Sequence, residues 1–195
     1  MPEARTALLA RILEFAARDG LADRSLRDIA SGVGTSHRML IYHFGSREGL
    51  LAAVVEAMEA QQRAAMAALA GAADSPADLM GRLWQQVSSA EVRPFVRLFF
   101  EVFALATRGA PGTEQVLPGL TTTWLDDAEK VAGGLGVEPD RTALRLGVAV
   151  SRGLLLDLLA GAGHDEVTAA HDLFVRLAAR PGPAAPGVSG GPPAD

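Results

Sequence analysis

SLRDIASGVGTSHRMLIYHFGSREGLL, residues Ser25–Leu51, reads as two short helices joined by a tight turn, with a third helix starting directly behind them. Ser25 stands where an N-cap belongs, and Asp28 follows three residues on in a capping-box arrangement. Leu26, Ile29 and Ala30 have the apolar spacing of a helix. Gly32 and Gly34 then punctuate the turn. Ser36 can cap the next helix, His37–Phe44, and Ser46 the one after, with Glu48 well placed against its N-terminal dipole.

The run G-T-S-H-R-M-L-I-Y-H-F-G-S-R-E-G-L-L resembles the end of the DNA-binding domain of the TetR family of bacterial transcription regulators. Gly34, Ser36, Leu40, His43, Phe44, Ser46 and Leu50 match the family's pattern at one fixed spacing, with Asp28-Ile29-Ala30 matching upstream. Arg47 stands where lysine is usual, Ile41 where a phosphate-binding tyrosine is usual, and Arg38 where glycine is common. Tyr42 is the nearest substitute for that tyrosine. The detailed resemblance covers roughly residues 5–52; beyond it, length and helical texture agree.

Composition sets outer limits. The chain has 195 residues, enough for one domain and a small second one, and 49% of them are apolar, enough for a sizeable core. It has no cysteine, which excludes disulfides, thiol chemistry and cysteine zinc sites. No apolar leader or membrane-length run is visible, so a soluble, cytoplasmic protein is expected. The formal net charge is −5. Seven arginines face six acids in residues 1–50, a net of +1, so the acidity lies in the remainder. A near-neutral head on an acidic body suits a specific DNA reader and not a non-specific coat.

The rest of the chain reads as helices. Residues 4–19 form the first, with Leu9, Ile12, Leu13 and Ala16 on one face, completing a three-helix core with Leu26, Ile29, Leu40 and Phe44. A long helix from Ser46 to about Ala70 links head to body. Ser75-Pro76-Ala77-Asp78 is a helix start. The helix opened by Pro94 has apolar residues around most of its circumference and is expected to be central, with Arg97 and Glu101 pairing on its surface. Arg108–Gly119 reads as a loop with a turn of helix, Thr121–Ala132 and Pro139–Ala160 as helices, and 166–180 as a last helix capped by Asp165. Residues 181–195, with five prolines and four glycines, are expected to be disordered. No strand is convincing. The expected fold is all-α: an N-terminal helix-turn-helix domain over 1–47, a helical effector-binding and dimerising bundle over 48–180, and the tail.

Candidate functional residues follow. Thr35, Ser36, His37 and Arg38 begin the second helix of the turn motif, the end that enters the major groove in such proteins. Arg38 can reach guanine O6 and N7 with two parallel hydrogen bonds. Tyr42, His43 and Arg47 are phosphate candidates, with Ser25 and Arg27 reaching from the first helix of the motif. Met80, Trp84, Phe95, Phe99, Phe103 and Trp124 are candidates for lining an apolar cavity in the body, where the resemblance implies a small-molecule effector. For any single one of them, filling the core is the better reading; as a set they suggest a roomy apolar interior. The stripe Leu144, Val148, Ser151, Leu155 and Leu158, with Phe174, is the candidate dimer surface. His164-Asp165-Glu166 and His171-Asp172 have no metal-ligand spacing we recognise, and Gly133–Gly136 lacks the strand that a phosphate loop follows, so neither a metal nor a cofactor is expected.

These readings converge on a regulator, not an enzyme: a homodimer on a palindromic double-stranded operator, released by a small apolar effector. Repression over activation is implied by the resemblance alone. The alternative is a helical small-molecule carrier or enzyme with a vestigial turn motif, which the aromatic interior and negative charge would suit.

Overall fold

The computed structural model describes residues 2–21 and 23–179, so the expectation of a disordered 181–195 falls outside the described residues. Among those described, every regular element is helical. Helix α1 spans Pro2–Asp19, α2 Leu26–Gly32, α3 His37–Phe44 and α4 Arg47–Ala70. The body adds α5 (Pro76–Val87), α6 (Arg93–Thr107), the single turn α7 (Val116–Pro118), α8 (Trp124–Gly134), α9 (Arg141–Ala160) and α10 (His164–Ala178).

The local signals act as the sequence predicts in the head. Asp28 N–H donates to Ser25 Oγ at 3.2 Å while the Asp28 carboxylate accepts from Ser25 N–H at 3.1 Å, which closes the capping box. Those hydrogen bonds from Ser25 hold the Asp28 carboxyl below the usual carboxylate range. Ser36, Ser46 and Ser75 cap α3, α4 and α5 through the one-way bond, their hydroxyls accepting from the N–H of Met39, Gly49 and Asp78. Gly34 takes φ +66° in the turn, a left-handed conformation that glycine adopts without steric cost. Beneath this frame Leu8, Ile12, Ile29, Leu40 and Phe44 are buried together, and Leu9, Leu13 and Leu26 pack against them.

That core does not stop at residue 47. It runs on through Leu50–Val55 of α4 into Leu98 and Val102 of α6, Val116 and Leu120. A smaller second core holds Trp84, Leu158 and Val167, with Leu154 and Leu155 packed on it.

Four local expectations are corrected. Helix α6 is not buried all round: Leu98, Val102 and Ala106 form its inner row, while Phe103 is exposed. Glu101 pairs with Arg47 at 3.4 Å, not with Arg97, because the start of α4 lies alongside α6. Asp165 lies in the first turn of α10 and Gly163 takes the cap position. The turn of helix expected within Arg108–Gly119 is α7, but no loop follows it: the chain winds on through a π-helical turn, Gly119–Thr123, directly into α8. The inserted residue of such a turn is seldom written in side-chain periodicity.

Candidate functional site

At the reading end, α3 presents one face to solvent. Ser36, His37, Arg38, Met39, Ile41 and Tyr42 are exposed, Thr35 is half-buried, and Leu40 and Phe44 hold the opposite face in the core. Tyr42, at 72% exposure, is the most open large side chain of the head. His43 is half-buried and wedged edge-on between the rings of Tyr42 and Phe44, with centroids at 4.9 and 6.3 Å. Arg27 is exposed on α2. The Ser25 hydroxyl donates to Asp28 at 2.6 Å besides accepting in the cap, so it is committed to holding α2.

Arg47 is not displayed with the others. Its Nε donates to the Arg24 carbonyl at 3.1 Å and its Nη1 lies 3.4 Å from Glu101. It therefore ties the α1–α2 connection to α6 of the body across the start of α4. Sequence reading also passed over Arg5, whose Nε donates to the His43 carbonyl at 3.3 Å and whose guanidinium lies 5.2 Å from the Phe44 ring centroid. A cation at the last turn of α3 satisfies a terminal carbonyl and complements the helix dipole.

A test separates the two roles of Arg47. If it ties head to body, Arg47→Ala and Glu101→Ala should weaken DNA binding alike, by roughly 0.5–1.5 kcal/mol, with an unchanged salt dependence. A phosphate ligand would instead leave Glu101→Ala silent and lower the salt slope by about one contact per subunit. Anisotropy titrations at several salt concentrations read both outcomes.

In the body, the predicted pocket residues are not gathered round one cavity. Trp84 is buried between α5 and α10; its Nε1 donates to Thr168 Oγ1 at 3.0 Å and its ring stacks on His171 at 4.7 Å. Met80 is half-buried on the same helix. Phe95 packs against the main core, and Phe99 meets Phe100 edge-on and Phe103 in a stack at 6.3 Å. Trp124 points to α4, where its indole N–H donates to the Glu59 carboxylate. The reason for the dispersal is helical rotation: Trp84 faces α10, whereas Phe99 and Trp124 face the junction of α4, α6, α8 and α9.

That junction holds two charges the sequence reading did not single out. Glu59 is half-buried, and burial pushes its carboxyl above the usual range, opposed by the Trp124 hydrogen bond and by Arg152 and Arg63. Arg152 of α9 lies with its guanidinium 5.4 Å from the Phe99 centroid and donates to the Leu120 carbonyl of the π-helical turn. Burial lowers its pKa, opposed by Glu59. The available signal was each charge's setting: Glu59 lies in an Ala- and Met-rich helix, and Arg152 falls between Ser151 and Gly153 in an otherwise apolar run. Beside the junction an open groove of about 370 Å³ runs between α4 and α8, lined by Ala60, Ala64, Met66, Ala67 and Val131 with Arg63, Asp127 and Lys130 at its rim. Arg63 and Lys130 both pair with Asp127, at 3.3 and 2.9 Å.

The predicted dimer stripe faces inward. Leu158 is buried, Leu155 packs on the second core, Leu144, Val148 and Ser151 are half-buried, and Phe174 lies over Gly147. The exposed apolar row of α9 is Leu146, Ala149, Gly153 and Leu156, and α10 adds Leu173 and Leu177. Among the described residues no group of His, Asp and Glu is arranged to hold a metal, and no helix is long and apolar enough to cross a membrane.

A capped helix-turn-helix with its second helix displayed, mounted through one long helix on an all-α body, defines a DNA-binding protein of the helix-turn-helix class. Residues 8–54 match the family model described as bacterial regulatory proteins, tetR family. Residues 8–54 are therefore similar to the DNA-binding region of the TetR family, and the chain as a whole carries the fold of that family's solved regulators. A TetR-family transcriptional regulator from Pectobacterium atrosepticum is 20% identical with a TM-score of 0.70, over 92% of this chain and 94% of that one. The multidrug binding protein EbrR, solved with imidazole, is 27% identical with a TM-score of 0.60, over 94% and 98%. A transcriptional regulator from Saccharomonospora viridis, solved with choline, is 21% identical with a TM-score of 0.64, over 90% and 97%. No curated protein sequence matches the chain.

Proposed function

We propose that this protein is a homodimeric repressor that reads a palindromic operator with its head, residues 1–47, and is released when a small molecule binds its body, residues 48–180. The observation that carries the reading is the displayed start of α3, polar and cationic on one side and locked into a three-helix core on the other. Thr35, Ser36, His37 and Arg38 face the bases in this reading. Tyr42, His43 and Arg27 reach phosphates. Arg47 and Ser25 position the head.

One head reads only a few base pairs, and two related by a two-fold axis multiply the specificity. The open row of α9 with Leu173 and Leu177 supplies an apolar face for the second copy. The small Ala149 and Gly153 between two leucines allow close approach of a symmetry-related helix. Effector control is supported by the similarity to regulators solved with imidazole and with choline. It is supported also by α4, which begins under the head and runs the length of the body.

Fluorescence anisotropy against the promoter region next to the protein's own gene tests the reading. Saturable binding that survives competitor DNA is expected; none at low salt would favour the carrier alternative. Arg38→Ala should cost roughly 1–3 kcal/mol on the cognate site and relax preference at one position per half-site. An unchanged site preference in that variant would remove Arg38 from base reading.

A further inference from the structure

We propose that Arg152 is a resident cation at the effector site, and that the effector is an organic cation that displaces it from the Phe99 ring and pairs with Glu59. This rests on the reading of the body as an effector domain. Four helices meet where these residues and Trp124 lie, and each contributes one of them.

The geometry sets a cation against an aromatic ring, beside a carboxylate that pairs with no cation among the described residues. Glu59 supplies a carboxylate whose hydrogen-bond partner is a neutral indole; among the described residues no cation forms an ion pair with it. Phe99 supplies a ring, with Phe103 stacked behind it. The Arg152 guanidinium sits against that ring, where a cation is attracted by the ring quadrupole. Arg152 is likewise without a carboxylate partner, although Glu59 is near enough for each charge to favour the other's ionised form.

Charge balance selects the ligand. With Arg152 in place the junction holds one negative and one positive charge. An organic cation that enters as Arg152 swings out leaves the same balance, so no net charge is buried. An anion that entered would meet the Glu59 carboxylate at close range. The open groove between α4 and α8 gives an approach one helical turn from Glu59, along Arg63 and Asp127.

Displacement also has a route to the head. Arg152 holds the Leu120 carbonyl, and Leu120 is buried in the core shared with Leu50 and Leu51 of α4. The loop just before it places Gly112 against Gly49 in the first turn of α4. Removing the guanidinium frees the π-helical turn from α9 and loosens what braces α4 beneath the reading helix.

Calorimetric titration of the full chain with benzyltrimethylammonium, and in parallel with benzenesulfonate, tests the proposal, with quenching of Trp124 as a second signal. The cation should bind saturably and the anion about tenfold more weakly or not at all. Glu59→Gln should weaken the cation by about tenfold, whereas Arg152→Ala should tighten it severalfold, since it removes the competitor. A gain of affinity is not what a merely destabilised body gives, so Arg152→Ala keeps the test sound even if Glu59→Gln folds poorly. Absent cation binding, equal binding of both ions, preference for the anion, or weaker cation binding by Arg152→Ala would each overturn it. In a separate DNA titration, the cation should release operator from the native chain and have little further effect on Arg152→Ala. Failure of DNA binding itself would remove the repressor reading, while the cation titrations would still decide the site.

Discussion

Leu156→Arg is expected to convert the protein to a monomer that no longer holds its operator. Leu156 is 51% exposed on the outer row of α9, in line with Gly153, Ala149 and Leu146. A dimer closed on a two-fold axis carries the substitution twice. Fully burying a leucine contributes about 1.5–3 kcal/mol; Leu156 is already half covered in the monomer, so the pair contributes about 1.5–3 kcal/mol per dimer. The variant adds two like charges near the axis, in a surface whose neighbouring side chains are apolar. At 1.4 kcal/mol per factor of ten, the lost burial alone should raise dissociation by roughly one to two orders of magnitude, and the buried charges add to it. Sedimentation at micromolar concentration should show monomer with unchanged circular dichroism. Leu155→Ala is the control. Its side chain packs on the core of Trp84, Leu158 and Val167, so it should lower the melting temperature and leave the dimer intact. The reverse pattern, with Leu155→Ala dissociating and Leu156→Arg dimeric, would restore the inner stripe as the interface.

Gly49→Ala should have the second large effect, on the join between reading head and body. A β-carbon at Gly49 would lie 2.3 Å from the Phe44 carbonyl oxygen and 3.6 Å from Gly112 Cα. Both are backbone atoms, so neither can be relieved by a rotamer change. Phe44 is the last residue of α3, and Gly49 lies in the first turn of α4. The methyl must therefore push the reading helix away from the helix that carries it. Overpacking of this kind costs about 1–3 kcal/mol, or roughly 2–12 °C in Tm for a chain of this size. Operator affinity should fall with it, because the spacing of two reading helices is fixed by the DNA. Gly112→Ala meets the same contact from the other side, at 2.7 Å from Gly49 Cα, and adds the strain of φ +85°. If both variants melt and bind DNA like the native chain, the contact does not brace the head.

The head was legible because its signals are local. Caps at Ser25, Ser36, Ser46 and Ser75 act within three residues of themselves, and each forms where the sequence puts it. The buried set Ile12, Ile29, Leu40 and Phe44 follows from helical spacing in short helices with one apolar face. The body resisted reading for the complementary reason. Helix α9 has leucines and small residues on both sides, so periodicity gives two eligible stripes and only the partners choose between them. Docking on α10 and on Trp84 turned Leu155 and Leu158 inward and left Leu146 and Leu156 outside. Trp84 and Trp124 are equally aromatic in sequence, yet one stacks on His171 and the other meets Glu59.

What the sequence alone determined, then, is everything carried by contacts a few residues long: an all-α chain, a capped helix-turn-helix with Arg38 and Tyr42 on its open face, and one helix from Ser46 leading into the body. The tertiary structure alone decided the rotation of each body helix, and with it the assembly of Glu59, Phe99, Trp124 and Arg152 from positions up to 93 residues apart. It also decided that Arg47 ties the head to Glu101. Such contacts depend on how whole helices pack, and packing is set by the summed shape of many side chains, which no short window of sequence contains.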